Sequence, residues 1–222
     1  MKKAQISIAI ILSISLISCK KIVSNYDIPI DGDGNVYTTI TIGTQTWMVE
    51  NLHTTHFNDG TKILEDTTWK HASDMPTYCY YDNNPANEST YGILYNWYAV
   101  NTGKLAPEGW HVATQEDWNL LADYLGGLAL AGGKLKALQI WEEPNTGASN
   151  ASGLGLLPTG CCLGSFEYGK FENIGYIGYW WTSTSSLGGG GWTRQLSYDS
   201  EALAGFGAGP DFGFAVLCVK NQ

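Results

Sequence analysis

Positive charge is scarce in this sequence. Its 222 residues include 12 lysines and arginines against 21 aspartates and glutamates, which gives a formal net charge of -9. Proteins that bind nucleic acid neutralise phosphates with clustered basic side chains, so this composition argues against a nucleic-acid partner. The same shortage argues against direct adhesion to anionic lipid headgroups.

Motifs of known catalytic machinery are also missing. The sequence contains no nucleophile elbow, no phosphate-binding loop and no dinucleotide fingerprint. His53 and His56 have a spacing that would suit a metal pair on a helix, but no neighbouring residues complete a recognisable ligand set. We therefore expect neither a catalytic residue nor a metal or other cofactor.

Long apolar runs are absent beyond the first residues. A basic start is followed by an apolar, serine-diluted stretch over residues 4–17, which is shorter than the roughly 20 residues of a transmembrane helix. Such a stretch is typical of a cleaved export signal. It ends in Leu16-Ile17-Ser18-Cys19, a tetrapeptide that resembles a lipobox, in which the cysteine takes a diacylglycerol.

The predicted organisation follows from that signal. We expect a lipoprotein signal peptide over residues 1–18, lipid attachment at Cys19, a tether over residues 19–30 and one domain over residues 31–220. Loss of residues 1–18 removes two lysines and no acid, so the mature net charge is -11. The alternative is an ordinary secretory peptide in which Cys19 occurs by chance.

Glycine and aromatic residues are what the sequence has in excess. Charged residues make up only 15%, whereas there are 27 glycines, 13 tyrosines and 9 tryptophans. This balance favours a fold rich in strands and loops. Tryptophans in exported domains often stack on sugars, but they also fill cores, where they bury large areas.

Local patterns predict several elements. Alternating side chains indicate a strand over residues 36–42, which a turn at Gly43-Thr44 joins to a second strand over residues 45–50. Thr114 is a good N-cap for a helix that reaches Leu125, and Leu135 and Leu138 indicate a second, shorter helix. Three later strands, over residues 176–182, 192–198 and 213–219, are expected to share one sheet.

A series of segments in the same order resembles the Fibrobacter succinogenes major paralogous domain, a lipoprotein family of Bacteroidetes and Fibrobacteres. The resemblance spans about residues 31–220. Its carriers are Asp33-Gly34-Asn35-Val36-Tyr37, Ile42-Gly43-Thr44-Gln45-Thr46-Trp47-Met48, Glu50-Asn51-Leu52, Asn58-Asp59-Gly60, Tyr91-Gly92-Ile93-Leu94-Tyr95-Asn96-Trp97, Pro107-Glu108-Gly109-Trp110-His111-Val112, Ala131-Gly132-Gly133-Lys134-Leu135-Lys136, Gly178-Tyr179-Trp180-Trp181-Thr182-Ser183-Thr184 and Gly213-Phe214-Ala215-Val216.

The resemblance implies an α+β, C-type-lectin-like fold with two helices, twisted antiparallel strands and long irregular loops, in the branch shared with formylglycine-generating enzymes. It implies a protein anchored to the cell envelope, at the outer membrane. We expect a non-catalytic binding module for glycan or protein. The alternatives are an envelope enzyme related to formylglycine-generating enzymes and a purely structural surface protein.

The chain departs from the family pattern at four places. Ala106, Cys161-Cys162, Ser185 and Leu217 replace a cysteine, a Tyr-Arg pair, a glutamate and an arginine. Two arginines and a carboxylate are thus missing together. We interpret this as loss of a structural polar network, since removing one partner alone would strand a charge. Loss of a ligand site is the alternative.

Four cysteines remain once Cys19 is lipidated, and an oxidising compartment would favour their pairing. Four cysteines allow three connectivities. Cys218 lacks its family partner at position 106, and we expect a Cys79–Cys218 disulfide. The adjacent Cys161-Cys162 has no further signature of a copper site like that of formylglycine-generating enzymes.

The candidate binding residues are aromatic. Trp180, Trp181 and Trp192 lie in successive predicted strands beside a loop rich in serine and glycine, and Tyr198 ends the second of these strands. Because side chains alternate along a strand, Trp180 and Trp181 must face opposite ways. We expect one to enter the core and the other to be available to stack on a sugar. The alternative is that all of these indoles belong to the core.

Overall fold

The computed structural model describes residues 28–165 and 167–222 and shows a mixed α+β chain with many short strands. The strands are β1 (Thr39–Ile42), β2 (Gln45–Met48), β3 (Leu64–Glu65), β4 (Thr77–Cys79), β5 (Leu94–Tyr95), β6 (Trp110–Val112), β7 (Thr159–Cys162), β8 (Phe171–Ile174), β9 (Ile177–Ser185), β10 (Gly191–Ser197), β11 (Gly207–Ala208) and β12 (Cys218–Lys220). The helices in this part of the chain are α1 (Glu88–Tyr91), α2 (Trp97–Val100), α3 (Gln115–Tyr124) and α4 (Leu128–Leu135), with 3-10 turns at Tyr81–Asn83 and Pro85–Asn87.

The strands form three small sheets across the described residues. One has the order β1-β2-β12-β6, the second β11-β10-β9-β7-β8 and the third β3-β4-β5. Most neighbours are antiparallel, and the pairs β3–β4 and β7–β9 are parallel. The predicted α+β class is therefore confirmed. Two of the four helices, α3 and α4, are longer than one turn.

The predicted N-terminal hairpin is present but shorter than expected. Gly43 has a φ of 61°, a left-handed conformation that suits glycine in a two-residue turn, and Thr39 to Ile42 pair with Met48 to Gln45. The alternation predicted from residue 36 is wrong at its start, where Val36 is exposed and Tyr37 is buried. The cause is that this stretch bonds to residues 29–30 instead of to β2.

Helix α3 begins where the sequence predicts. The Thr114 hydroxyl accepts a hydrogen bond from the Asp117 amide (3.0 Å), and the Asp117 carboxylate accepts one from the Thr114 amide (2.8 Å). This reciprocal pair satisfies donors that the first helical turn leaves free. Trp118, Leu121 and Ala122 form the buried face of the helix.

Helix α4 does not lie where the sequence predicts. It ends at Leu135, and Leu138 lies beyond it as an exposed side chain. Lys136 adopts extended backbone angles and bridges to Leu156, and the Ala137 amide donates to the Leu156 carbonyl. These non-local bonds take the backbone groups that a longer helix would have used.

The longest strand, β9, lies at the centre of the five-stranded sheet and is covered on both faces. Trp181 belongs to one hydrophobic core, together with Trp97, Tyr95 and Phe214. Trp180 belongs to a second core, together with Trp47 and Trp118. The alternation of side chains along β9 thus supplies both cores.

The segment 213–220 connects all three sheets. Gly213 bridges to Cys162 and Ala215 to Trp180 in the five-stranded sheet, while Phe214 bridges to Tyr95 in the three-stranded sheet. The segment then enters the four-stranded sheet as β12, where Val219 lies opposite both Trp47 and His111. The prediction that residues 213–219 form a strand of the β9–β10 sheet is therefore wrong, because only two isolated bridges, at Gly213 and Ala215, join them to it. The N-terminal hairpin therefore lies beside this last strand.

The predicted signal peptide, Cys19 and most of the tether lie outside the described residues. Within residues 28–165 and 167–222, no helix has both the length and the apolar character required to cross a membrane.

Candidate functional site

Trp192 is the exposed tryptophan among the candidate binding residues. It lies near the start of β10, where the register with β9 shifts between Gly191 and Thr193, and 37% of its surface is accessible. Its partner across β10–β11 is Gly207, which has no side chain to cover the indole. A local irregularity of the ladder and a glycine opposite thus leave one indole open to solvent.

A shallow pocket of about 330 Å³ surrounds this indole. The Ser186 amide donates to the Gly190 carbonyl and closes the loop that forms one wall, and Leu187 is fully exposed on it. Ligand pockets occupy about 300–1,000 Å³, so the size suits a small ligand or one residue of a longer one. We call it the Trp192 groove; its lining is Ser186, Leu187, Gly188, Trp192, Gly207, Ala208 and Gly209.

The Trp192 groove offers one aromatic face, one exposed aliphatic side chain, a serine hydroxyl and peptide groups of glycine loops. No titratable side chain lines it. Such a surface can stack on an apolar ring face and form a few hydrogen bonds, but its lining has no titratable group that would exchange protons or activate the serine hydroxyl. The arrangement is suited to binding.

Trp180 and Trp181 cannot act as platforms, because both are fully buried. The indole N–H of Trp180 donates to Asn51 Oδ1 (2.8 Å), and that of Trp181 donates to the Tyr95 carbonyl (2.7 Å). The expectation that one of the two would be available to a ligand is wrong. It assumed a solvent-facing side of β9, whereas this strand has a core on each face.

Tyr198 lies at the other end of the hairpin from Trp192. Its ring packs edge-on against Tyr176 with centroids 5.2 Å apart, and it is partly buried against the second core. Six residues of strand separate it from Trp192, which corresponds to about 20 Å. The structure therefore does not bring Trp192 and Tyr198 into one site.

A second pocket, of about 220 Å³, lies between residues 49–53, helix α1 and residues 154–157. His53 Nδ1 and Glu88 Oε1 lie 3.2 Å apart, and Glu50 accepts from the Thr38 amide (2.8 Å). Asn51 donates to the Tyr91 carbonyl (2.9 Å) in addition to accepting from Trp180. Because these polar groups already have protein partners, the pocket is a weaker candidate than the Trp192 groove.

His53 and His56 do not form a metal pair. His56 Nδ1 lies 2.5 Å from Asp33 Oδ1, so the two histidines have different acidic partners. Burial tends to raise the pKa of Asp33, but hydrogen bonds from the Thr55 amide and from His56 lower it below its ordinary value. Across the described residues, no group of three or more histidine, cysteine or acidic side chains could hold a metal ion.

The cysteines are not arranged as expected. All four described cysteines are buried with free thiols, and Cys79 and Cys218 belong to different cores. The predicted Cys79–Cys218 disulfide is therefore wrong. The residue near Cys79 is Cys162, because β4 and β7 meet in a small third core that β12 does not reach.

Three of the four places where the chain departs from the family pattern are buried. They are Ala106, Cys161-Cys162 and Leu217, whereas Ser185 is exposed. The substituted side chains at the buried positions are small or apolar and lie within the hydrophobic cores.

Sequence reasoning placed Trp192 beside a loop rich in serine and glycine but missed the groove that this loop forms with residues 207–209. Leu187 and the glycines of the groove lie in stretches that the sequence identifies only as loops. Their position depends on the β10–β11 pairing, which consists of two residue pairs and leaves no periodic signal. The high density of glycine around Leu187 was the sequence feature that could have indicated an open loop next to the indole.

Fold and site together define an α+β domain of small sheets that carries an exposed indole beside glycine-rich loops. The model of the Fibrobacter succinogenes major domain matches residues 40–220, and the chain belongs to this family. Neither a curated protein nor a solved structure matches the chain.

Proposed function

We propose that this chain is a lipid-anchored protein of the cell envelope, at the outer membrane, whose domain is a non-catalytic binding module for glycans. The exposed indole of Trp192 in its groove carries this proposal. Sugar rings present C–H faces that stack on an indole, while serine and peptide groups can bind their hydroxyls. The net charge of -9 favours a neutral or basic ligand over an acidic one.

A C-type-lectin-like fold is part of the proposal. The meeting of β1–β2 with β12 in one sheet supports it, as do the long connections that contribute to the Trp192 groove. The alternative of an enzyme related to formylglycine-generating enzymes has less support, because burial raises the pKa of Cys161 to about 12. A thiol needs a lowered pKa and access to substrate to be reactive.

Glycan binding is tested with an array of neutral and basic oligosaccharides, probed with the wild-type domain and with Trp192→Ala. We expect Trp192→Ala to abolish binding and to lower the free energy of unfolding by about 1–2 kcal/mol, less than the about 3–5 kcal/mol of a fully buried tryptophan, because 37% of its surface is exposed. Tyr176→Ala is the matched control, since Tyr176 is an exposed aromatic residue at the far end of the same hairpin. Trp192→Phe should retain part of the affinity.

Binding that survives Trp192→Ala would contradict the assignment of the groove. If the wild type binds no glycan but binds a protein that Trp192→Ala does not bind, the ligand of the groove is a protein and the glycan proposal is wrong.

The anchor is tested separately by labelling cells with a palmitate analogue. We expect the wild type to be labelled and to sediment with membranes, and Cys19→Ser to lose both properties, because the resemblance of residues 16–19 to a lipobox predicts acylation at that thiol. An intact mass that shows an unmodified mature N-terminus would refute the anchor and leave the binding proposal standing.

A further inference from the structure

Two buried thiols lie side by side in the smallest core of the protein. Cys79 on β4 and Cys162 on β7 are both almost completely buried and share a cluster with Trp69, Tyr81 and Leu94. Cys162 is also among the neighbours that, after burial, raise the pKa of the Cys79 thiol, as expected for two thiols in one small cluster. No other two of the four described cysteines belong to this cluster.

The backbone holds Cys162 in this position. The Cys162 amide donates to the Gly213 carbonyl (3.0 Å), and the Gly213 amide donates to the Cys162 carbonyl (2.9 Å). A β-carbon added at Gly213 would lie 2.9 Å from the β-carbon of Cys162, so only glycine allows this approach. Cys79 is fixed in turn by its pairing with Leu94 across β4–β5.

The other two described cysteines point elsewhere. Cys161 precedes Cys162 on β7, and because side chains alternate it enters the main core on the opposite face. Cys218 lies on β12 in that core, where the nearby acidic group is Asp31. Neither can replace a member of the Cys79–Cys162 pair without moving a strand.

We propose that Cys79 and Cys162 form a disulfide when the chain folds in an oxidising compartment. A disulfide-carrying oxidant, such as an oxidised dithiol protein or oxidised glutathione, supplies the chemistry. One cysteine, as its thiolate, attacks the oxidant and forms a mixed disulfide, and the second thiolate then displaces the oxidant. The two cysteines lose two protons and two electrons, the Sγ–Sγ bond forms, and the oxidant leaves as two thiols.

The pair must be oxidised before its core closes. Burial raises the pKa of the Cys79 thiol well above its ordinary value, so the folded protein holds almost no thiolate there. An external thiol or disulfide also has no access to either sulfur once β4 and β7 are in place. The same burial makes the bond slow to reduce after folding.

The test is oxidative refolding of the full chain. The reduced, unfolded protein is refolded in a reduced and oxidised glutathione buffer, its free thiols are then alkylated under denaturing conditions that expose every sulfur, and its peptides are mapped by mass spectrometry. We expect a linked Cys79–Cys162 peptide and alkylation of Cys19, Cys161 and Cys218. The oxidised protein should melt about 10 °C higher than the reduced protein, because a cross-link over such a long loop restricts the unfolded chain.

Cys161→Ser is the matched control, since it changes the neighbouring residue on the opposite face of β7. It should retain the linked peptide, whereas Cys79→Ser and Cys162→Ser should each leave the other cysteine alkylated. Alkylation of all five cysteines in the refolded wild type, or a linked peptide that joins Cys79 to Cys161 or Cys218, would overturn the proposal. The wild-type map decides the question even if a serine variant fails to fold.

Discussion

Lys136 is a buried cation without a carboxylate contact within the described residues. Its ammonium donates to three carbonyls, of Thr146 (2.8 Å), Ser197 (3.0 Å) and Ser200 (2.9 Å), and lies 5.5 Å from the ring centre of Trp141. Burial lowers the pKa of Lys136 below its ordinary value. One side chain thereby joins the loop after α4 to the end of β10 and the turn that follows.

We expect Lys136→Met to lower the free energy of unfolding by about 3 kcal/mol. Each buried carbonyl left without a donor costs about 1–3 kcal/mol, and part of this cost is offset because the variant no longer buries a charged group. Lys134→Met is the control, since that half-buried ammonium donates only to the Leu125 carbonyl (2.7 Å). Urea unfolding of both variants measures the difference. Equal midpoints would show that the three carbonyls find other partners.

At the scale of single residues, the sequence predicts exposure less well than it predicts strands. Trp180, Trp181 and Trp192 all lie in strands, as expected, yet only Trp192 is exposed. The alternation along β9 shows that the two neighbouring indoles face opposite ways, but it cannot show that a second core covers the other face. That depends on α3 and β2, which are distant in the sequence.

Helix α3 is stabilised from outside its own span. His111 on β6 places Nε2 3.0 Å from Asp117 Oδ2 and Nδ1 2.7 Å from Asn221 Oδ1. Because both ring nitrogens face acceptors, the doubly protonated ring fits this site best, and the hydrogen bond to Asp117 raises the pKa of His111. Burial would raise the pKa of Asp117, but the hydrogen bonds from His111 and Thr114 outweigh it and lower the value to about 2.

This pair predicts a pH window for stability. The raised pKa of His111 means that its contribution is complete below the ordinary value of 6.5 and is lost as the pH rises through the folded value. The lowered pKa of Asp117 means that its contribution is complete above 3.8 and is lost as the pH falls towards 2. The difference in melting temperature between wild type and His111→Gln should therefore be largest between pH 3.8 and 6.5.

Melting curves of the two proteins from pH 2 to 9 measure this difference, and an NMR titration of the His111 ring measures its pKa directly. A difference that is constant over the whole range would mean that His111 contributes only by packing.

At the scale of elements, the sequence pattern predicts correctly those turns and helix ends that are fixed by hydrogen bonds between nearby residues. The Gly43-Thr44 turn and the start of α3 are set by hydrogen bonds within a few residues, and both are correctly predicted. The end of α4 and the sheet membership of β12 depend on Leu156 and on Trp47, which are distant in the chain. No pattern within either segment contains that information.

At the scale of the whole molecule, segment 213–220 contacts all three sheets: it is a strand of the four-stranded sheet and makes isolated bridges to the other two. Phe214 is fully buried, and its ring packs against Trp181 (4.8 Å between centroids) and Tyr179 (5.2 Å). Val216, Leu217 and Cys218 are also fully buried, and they belong to the two large cores.

We expect a chain that ends after Phe212 to lack cooperative unfolding, because the truncation removes the β12 pairings and the buried side chains of both large cores. A chain that ends after Lys220 is the control and should fold, with the loss of the Asn221 hydrogen bonds to His111 and Gly109. Amide NMR dispersion and thermal melts distinguish the two. A well-dispersed spectrum from the shorter chain would show that the sheets form without the segment.

The position of that segment also governs when the protein can fold. A nascent chain leaving the ribosome cannot complete the four-stranded sheet until residues 218–220 have emerged, because β12 lies between β2 and β6 and pairs with both. Contacts between residues so far apart in sequence also make folding slow. If the chain is exported as we propose, a translocase would have an interval in which to move it before this sheet closes.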